Sequence, residues 1–328
     1  MTVAVPDPRA PIVPQLERFG PRSEAAAPTR EEAIAYTRTL ATSHYENFSV
    51  LSSLVPADLR DDFGAVYAFC RWADDLGDET GHDEAARTRS LELLAWWREE
   101  LRACFAGEPR HAVFVALAET VRKHALPIEP FDHLIQAFEQ DQRVQAYDTW
   151  AQVLDYCTRS ANPVGRLVLM LAGHPDVPEN RELFVMSDAT CTALQLTNFW
   201  QDVRRDLVER DRIYMPAADT NITPAMLRDW MGRPNDPEAR VPFILGLRGL
   251  VEKTWPLFKV GQTLPDRVDP RIRPVIWLFG AGGQAVLNKV ERCGCTTLWT
   301  RPRLGKASKL ALVARAWIMA KTVGRSGK

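Results

Sequence analysis

Alternation of apolar and polar residues is almost absent from this 328-residue sequence, so no stretch carries the period-2 signature of a half-buried strand. The chain reads as all-α. No run of about 18 apolar residues occurs, which excludes a helix that crosses a bilayer. The opening MTVAVPDPRAPIVPQL sets prolines and charges where a signal peptide needs an unbroken apolar stretch. The six histidines are dispersed, none at ligand spacing from another, which argues against zinc. Six cysteines (Cys70, Cys104, Cys157, Cys191, Cys293 and Cys295) are scattered through apolar surroundings. Cys293 and Cys295 form one Cys-x-Cys without a second pair, so the set reads as reduced thiols of a cytoplasmic protein. Acid is missing from the C-terminal end: Arg301 to Lys328 hold eight Lys or Arg and no Asp or Glu, in a chain of formal net charge -1. Because ALVARAWIMAK in that segment is apolar on one side, the expectation is a peripheral contact with the inner face of the cell membrane. The competing reading is a solvated basic tail, and no nucleic-acid partner is expected.

What is present is a large apolar fraction, 46% of residues, enough for a sizeable core. Residues 1–28 are rich in Pro, Ala and Arg and lack periodicity, so they read as a disordered extension. A single domain is expected over 29–322, with 301–328 as its basic C-terminal segment. Thr29 followed by Glu32 is a capping-box signature for a first helix. Further helical patterns run at about 57–79, 85–105, 111–125, 130–142, 150–171, 180–208, 240–262, 270–291 and 306–322, with Gly and Pro at most junctions. The segment 209–240, mixing charge, Pro and Asn, reads as the longest loop.

Two helical patterns carry acid where a core helix should be apolar. In FCRWADDLGDE, taking Phe63 as zero, Tyr67 falls at about 40°, Cys70 at about 340°, Asp74 at about 20° and Asp78 at about 60°. Asp74 and Asp78 thus continue an apolar stripe and are expected to face inward, whereas Asp75 and Glu79 come round to about 120° and 160° as flank residues. In NFWQDVRRD, Asn198, Asp202 and Asp206 stand four apart along one line. Buried carboxylates without partners cost several kcal/mol, so something must compensate. Hard oxygen donors at this spacing suit Mg²⁺, which binds through one or two carboxylates plus substrate phosphate. A di-iron helix bundle would need Glu-x-x-His pairs, and there are none. The pattern therefore predicts a helical bundle whose central cleft is lined by two aspartate-rich helices.

At these residues the sequence resembles the squalene and phytoene synthase family, head-to-head prenyl transferases with an all-α isoprenoid-synthase fold. HYENF (His44 to Phe48) looks like the family's substrate-flap motif and YAFCRWADDLGDE its first aspartate-rich motif. YCTRSANPVG resembles its Tyr-Cys segment, and QLTNFWQDVRRDLVERDRIYMP its second aspartate-rich motif with the DRIY that follows. The resemblance implies that Asp74, Asp78, Asn198, Asp202 and Asp206 bind Mg²⁺ and diphosphate. It also implies that Arg71 and Arg212 contact phosphate and that His44, Phe48, Tyr67, Tyr156 and Gln195 line the pocket, with Arg71, Tyr156, Gln195 and Asn198 as catalytic candidates. Members that condense two prenyl diphosphates usually have Arg directly before the second-motif aspartate. Here it is Gln201, and Ala161-Asn162-Pro163-Val164-Gly165 replaces the usual Ala-Gly-Ser-Val-Gly. Both departures resemble the bacterial hydroxysqualene synthase subfamily, whose substrate is presqualene diphosphate, itself derived from farnesyl diphosphate, and whose product feeds hopanoid synthesis. Neighbouring pathway enzymes are candidate partners.

The resemblance implies ionisation of the diphosphate, rearrangement of the cation in an aromatic cavity and quenching by water held by Tyr156, Gln195 or Asn162. NADPH is therefore not expected. FGAGGQA does contain Gly280, Gly282 and Ala285 in a Gly-x-Gly-x-x-Ala pattern, but in a helical context with no acid about 20 residues on. Close helix packing is the reading for these glycines. A non-catalytic scaffold of the same fold is the remaining alternative, although such a protein has no need of two complete acid motifs.

Overall fold

The computed structural model describes residues 7, 8, 10–43, 53–81 and 83–326. The chain is 73% helical, and among the described residues the only extended pairing given is an isolated parallel bridge between Ala146 and Ile213. It divides into two compact units, one of residues 1–143 with 166–175 and the other of 144–165 with 176–328.

The first unit contains α1 (Ile12–Phe19), α2 (Arg30–Ser43), α3 (Arg60–Asp78), α4 (Glu84–Ala106), α5 (Ala112–His124) and α6 (Glu129–Asp141). Thr29 and Glu32 form the expected reciprocal cap: the Thr29 N–H donates to the Glu32 carboxylate at 2.8 Å and the Glu32 N–H to Thr29 Oγ1 at 3.3 Å. Phe69 and Trp72 of α3, Trp97 of α4, Phe114 of α5 and Phe131 of α6 are all fully buried. Each such side chain contributes roughly 1.5–3 kcal/mol on burial. Trp72 and Trp97 stack with centroids 5.4 Å apart. The buried indole N–H of Trp72 donates to Tyr36 Oη (2.9 Å), whose own O–H donates to Gln15 Oε1 (2.7 Å). That relay pins α1, with Ile12, Gln15 and Phe19 buried. The expectation that 1–28 lacks structure therefore fails for Ile12–Phe19, because one short apolar face with a polar anchor is enough to dock a helix.

The second unit contains α7 (Trp150–Ser160), part of α8 (Asn162–Leu171), α9 (Arg181–Glu209), α10 (Ala217–Thr220), α11 (Pro224–Trp230), α12 (Pro237–Val260), α13 (Arg273–Arg292) and α14 (Lys306–Ser326). The pattern read as one helix over 150–171 is broken at Ala161 (φ -127, ψ -49). Pro163 lacks an N–H and crowds the residues before it, so the chain cannot carry the ladder through. The expected loop 209–240 holds the two short helices α10 and α11. At the centre, α9 packs on α12 and α13, and its buried Trp200 donates to Thr254 Oγ1 at 2.9 Å. The Gly-x-Gly-x-x-Ala stretch lies inside α13, so the strand-turn-helix context of a dinucleotide fingerprint is not met. The close packing expected of Gly280 and Gly282 is not found, since a Cβ at either would meet no described atom within 4 Å; the tight position is the neighbouring Gly283, where a Cβ would strike Leu194 Cδ2 of α9 and approach Phe258 Cζ of α12 to 2.9 Å.

Candidate functional site

The end of α3 is held rigidly from behind. The Gly77 carbonyl accepts from Gln142 Nε2 (3.1 Å) and from Ser90 Oγ (3.3 Å), and the Glu79 carboxylate accepts the Ile12 N–H of α1 at 2.7 Å. On this frame the acids divide differently from the wheel reading. Asp75 is buried, 6% exposed, and pairs with Arg71 Nη2 at 2.5 Å. Asp74, with Arg71 Nη1 at 3.8 Å, has a side chain 43% exposed, and Asp78 and Tyr67 are likewise half-buried. The packed side of α3 is centred on Trp72 and Leu76, at about 180° and 220° on the same wheel. Asp74 and Asp78 do share a face, but it is the open one. Burial pushes the Asp75 carboxyl up to about 8 against the pull of Arg71. The adjacent Arg71 Nε is buried and has no hydrogen-bond acceptor among the described residues.

The second acid line lies on α9, and here too depth varies. Asn198 is exposed, Asp202 intermediate and Asp206 buried at 5%. Asp202 marks a kink, with non-helical φ -107 and ψ 15. Its carboxylate is gripped by Arg301 through two hydrogen bonds, Nε to Oδ1 and Nη2 to Oδ2, the latter at 2.9 Å. Arg205 Nη1 stands 3.8 Å away. Beside it, Gln201 Nε2 donates to the Pro302 carbonyl at 2.7 Å. Residues 301–302 thus strap across the motif. One turn on, Arg210 Nη1 lies 3.5 Å from Asp206 Oδ1, and burial pushes the Asp206 carboxyl up to about 7 despite that neighbour.

After α9, Asp211 adopts the left-handed region (φ 51) and turns the chain so that the Arg212 N–H reaches the Asp206 carbonyl at 3.0 Å. The strand-like return then lies along 145–148, with the Ile213 N–H donating to the Gln145 carbonyl at 2.7 Å. Arg212 is buried and, with Asp206, Phe199, Val203 and Tyr214, lines a cavity of about 10 Å³, room for about one water. Tyr214 stacks on Phe199 with centroids 3.7 Å apart, and Tyr156 lies 5.6 Å from Tyr214 and 6.1 Å from Phe199. Asn162 Oδ1 accepts from Thr192 Oγ1 at 2.9 Å, tying α8 to α9. Next to it Gly165 lets the two helices touch, since a Cβ there would strike Ser187 Oγ and come within 2.5 Å of Cys191 Sγ.

The model of the squalene/phytoene synthase family matches residues 41–308. The chain belongs to that family. Among solved structures it is similar to squalene synthase HpnC from Alicyclobacillus acidocaldarius, at 40% identity and a TM-score of 0.69 over 81% of this chain and 95% of that one. A dehydrosqualene synthase, 20% identical with a TM-score of 0.71 over 89% of this chain and 98% of the other, shows the same fold. Hydroxysqualene synthase of Zymomonas mobilis is 38% identical over 52% of this chain, a match spanning 55% of that enzyme's length. Phytoene synthase of Arthrospira platensis is 29% identical over 80% of this chain and 85% of its own. As members of this family act on prenyl diphosphates, the chain is an isoprenoid-synthase enzyme of head-to-head type.

Within the first unit the structure brings Tyr67, Arg71, Asp74 and Asp78 onto one face of α3. Within the second it gathers Tyr156, Asp206 and Arg212 around the α9 terminus, with Gln195, Asn198 and Asp202 along the same helix. His44 and Phe48 lie outside the described residues. Among those described, no group of three or more His, Cys, Asp or Glu side chains is arranged to hold a metal ion. The donor chemistry still fits Mg²⁺, which needs only one or two carboxylates when water and phosphate complete its shell. Asp74 and Asp78 present such oxygens on an open face, and Asp202 already holds a cationic partner in Arg301. Sequence reading missed Arg301, which counted only as one of the tail's charges. Tyr214 and Phe199 were legible within DRIY and NFW but were not singled out.

Proposed function

We propose that the protein converts presqualene diphosphate and water to hydroxysqualene and diphosphate, with Mg²⁺ as its metal. The observation that carries this reading is position 201. Gln201 commits its amide to the Pro302 carbonyl and brings no guanidinium to the second motif, where members that join two prenyl diphosphates usually have Arg. Likeness to hydroxysqualene synthases supports the same choice. A second reading, another head-to-head synthase such as a presqualene diphosphate, squalene, phytoene or dehydrosqualene synthase, is favoured by the longer match to phytoene synthase.

In this reading Asp74, Asp78, Asn198, Asp202 and Asp206 hold the metal, which when bound supplies positive charge to the departing diphosphate. Arg71, its guanidinium oriented by Asp75, contacts phosphate oxygens, and Arg212 is a second phosphate contact. Tyr67, His44 and Phe48 line the prenyl chain's path. The rings of Tyr156, Phe199 and Tyr214 offer their quadrupoles to the cation. The engagement of Asn162 Oδ1 by Thr192 favours Tyr156 or Gln195 as the group that orients the quenching water, and in this reading water, not NADPH, ends the reaction. Peripheral contact of the basic C-terminal segment with the membrane belongs to the same reading, since substrate and product are long-chain isoprenoids. The test is product analysis after incubation with presqualene diphosphate and Mg²⁺, with and without NADPH. The alcohol is expected in both. Consumption of farnesyl diphosphate alone to a condensed product would establish the second reading instead.

A further inference from the structure

Helix α14 packs on α13 through one side: Ala316 is fully buried, and the Arg315 guanidinium lies 4.8 Å over the Trp277 ring of α13. Its opposite side presents exposed apolar side chains. Leu310 is 69% exposed, Ile318 64% and Trp317 41%. On a helical wheel Leu310, Ala314, Trp317, Ile318 and Lys321 fall within a sector about 100° wide. Lys306 borders the sector and Lys309 lies beyond it, both exposed, and no acid occurs anywhere from Arg301 to Lys328.

We infer that this outward face of α14 lies on an anionic phospholipid bilayer, with Leu310, Trp317 and Ile318 entering the headgroup boundary and Lys306 and Lys321 meeting lipid phosphates. The inference rests on the peripheral-membrane part of the proposed function and names the surface and the partner. Three observations select this occupant. The lysines would be brought against their own copies in a symmetric dimer built on the same patch, whereas an anionic surface neutralises them. Trp317 beside Leu310 and Ile318, with Lys306 and Lys321 able to extend their ammonium groups outward, suits the headgroup boundary. No described helix is long and apolar enough to cross a membrane, so α14 lies on the surface instead of spanning it.

The experiment is flotation of the full-length protein with vesicles of phosphatidylglycerol and phosphatidylcholine, or of phosphatidylcholine alone, at low and high salt. Binding is expected only to the anionic vesicles and is expected to weaken with salt. Replacing Lys306 and Lys321 by Gln should weaken it about fivefold per lysine, and Leu310→Ser with Ile318→Ser should abolish retention, with unchanged far-UV circular dichroism in both variants. Equal binding to neutral vesicles, or wild-type binding by either variant, overturns the inference. So does a wild-type dimer in sedimentation velocity that the Leu310→Ser, Ile318→Ser variant dissociates. Turnover of detergent-dispersed presqualene diphosphate, read on the same proteins, separates the two proposals. Hydroxysqualene without vesicle binding refutes the docking face alone, and vesicle binding without hydroxysqualene refutes the reaction alone.

Discussion

Arg301→Gln is expected to raise the affinity of the substrate-free protein for a divalent cation. In the structure Asp202 is not waiting open: the guanidinium of Arg301 covers both its oxygens, with Nη2 to Oδ2 at 2.9 Å. An incoming ion must displace that internal cation. Two unit charges 4 Å apart interact by about 4 kcal/mol at an effective dielectric near 20. The Arg301 side chain is 35% exposed and that of Asp202 15%, so solvent screens much of this and about 1 kcal/mol is a reasonable net value. That corresponds to about fivefold in a dissociation constant. Mn²⁺ titrated into the full-length protein, followed by calorimetry or by loss of its free electron-resonance signal, measures it directly. Tighter binding by Arg301→Gln should vanish when Asp202→Asn is added, because the gain belongs to that carboxylate. Unchanged or weaker Mn²⁺ binding in the single variant, or the same gain without Asp202, would refute the competition.

Three further outcomes are expected. Gly165→Ala should destabilise by about 2 kcal/mol in urea unfolding, since its methyl meets Ser187 and Cys191 together. Asp74→Asn should abolish turnover of presqualene diphosphate while leaving the melting temperature within a few degrees of wild type, because the carboxylate lies on an open face; normal turnover would remove its metal role. His111 is held neutral by burial, its pKa well below 6.5, with Nδ1 accepting the Val113 N–H at 3.1 Å. As the unfolded chain binds a proton there and the folded chain does not, stability should be full above pH 6.5 and fall as pH drops below it, by up to about 1.4 kcal/mol per unit. His111→Asn, which can still cap α5, should flatten that slope between about pH 5 and 6.5.

Much of the fold was readable from local pattern, because helix periodicity, the Thr29 and Glu32 cap and Pro or Gly punctuation act within a few residues of chain. The helix expected at 180–208 is Arg181–Glu209 and that at 85–105 is Glu84–Ala106. The same locality explains the misses. Ile12–Phe19 has too short an apolar pattern to declare itself, and it is held by Tyr36 and Trp72, residues far along the chain.

The sequence by itself determined the helical class, the two acid motifs and the family they belong to, since these depend on residue type and spacing. A helical wheel supplies relative phase and nothing more, so it showed that Asp74 and Asp78 share a face. Only tertiary packing decided that this face is the open one and that Asp75 is the buried acid, because Trp97, Phe114 and Phe131 come from other helices to cover the far side of α3. Packing likewise decided that Arg301, 99 residues beyond Asp202, closes on it. An ion pair at that separation leaves no periodic trace in the sequence, and its strength depends on a position and a degree of burial that only the folded chain provides.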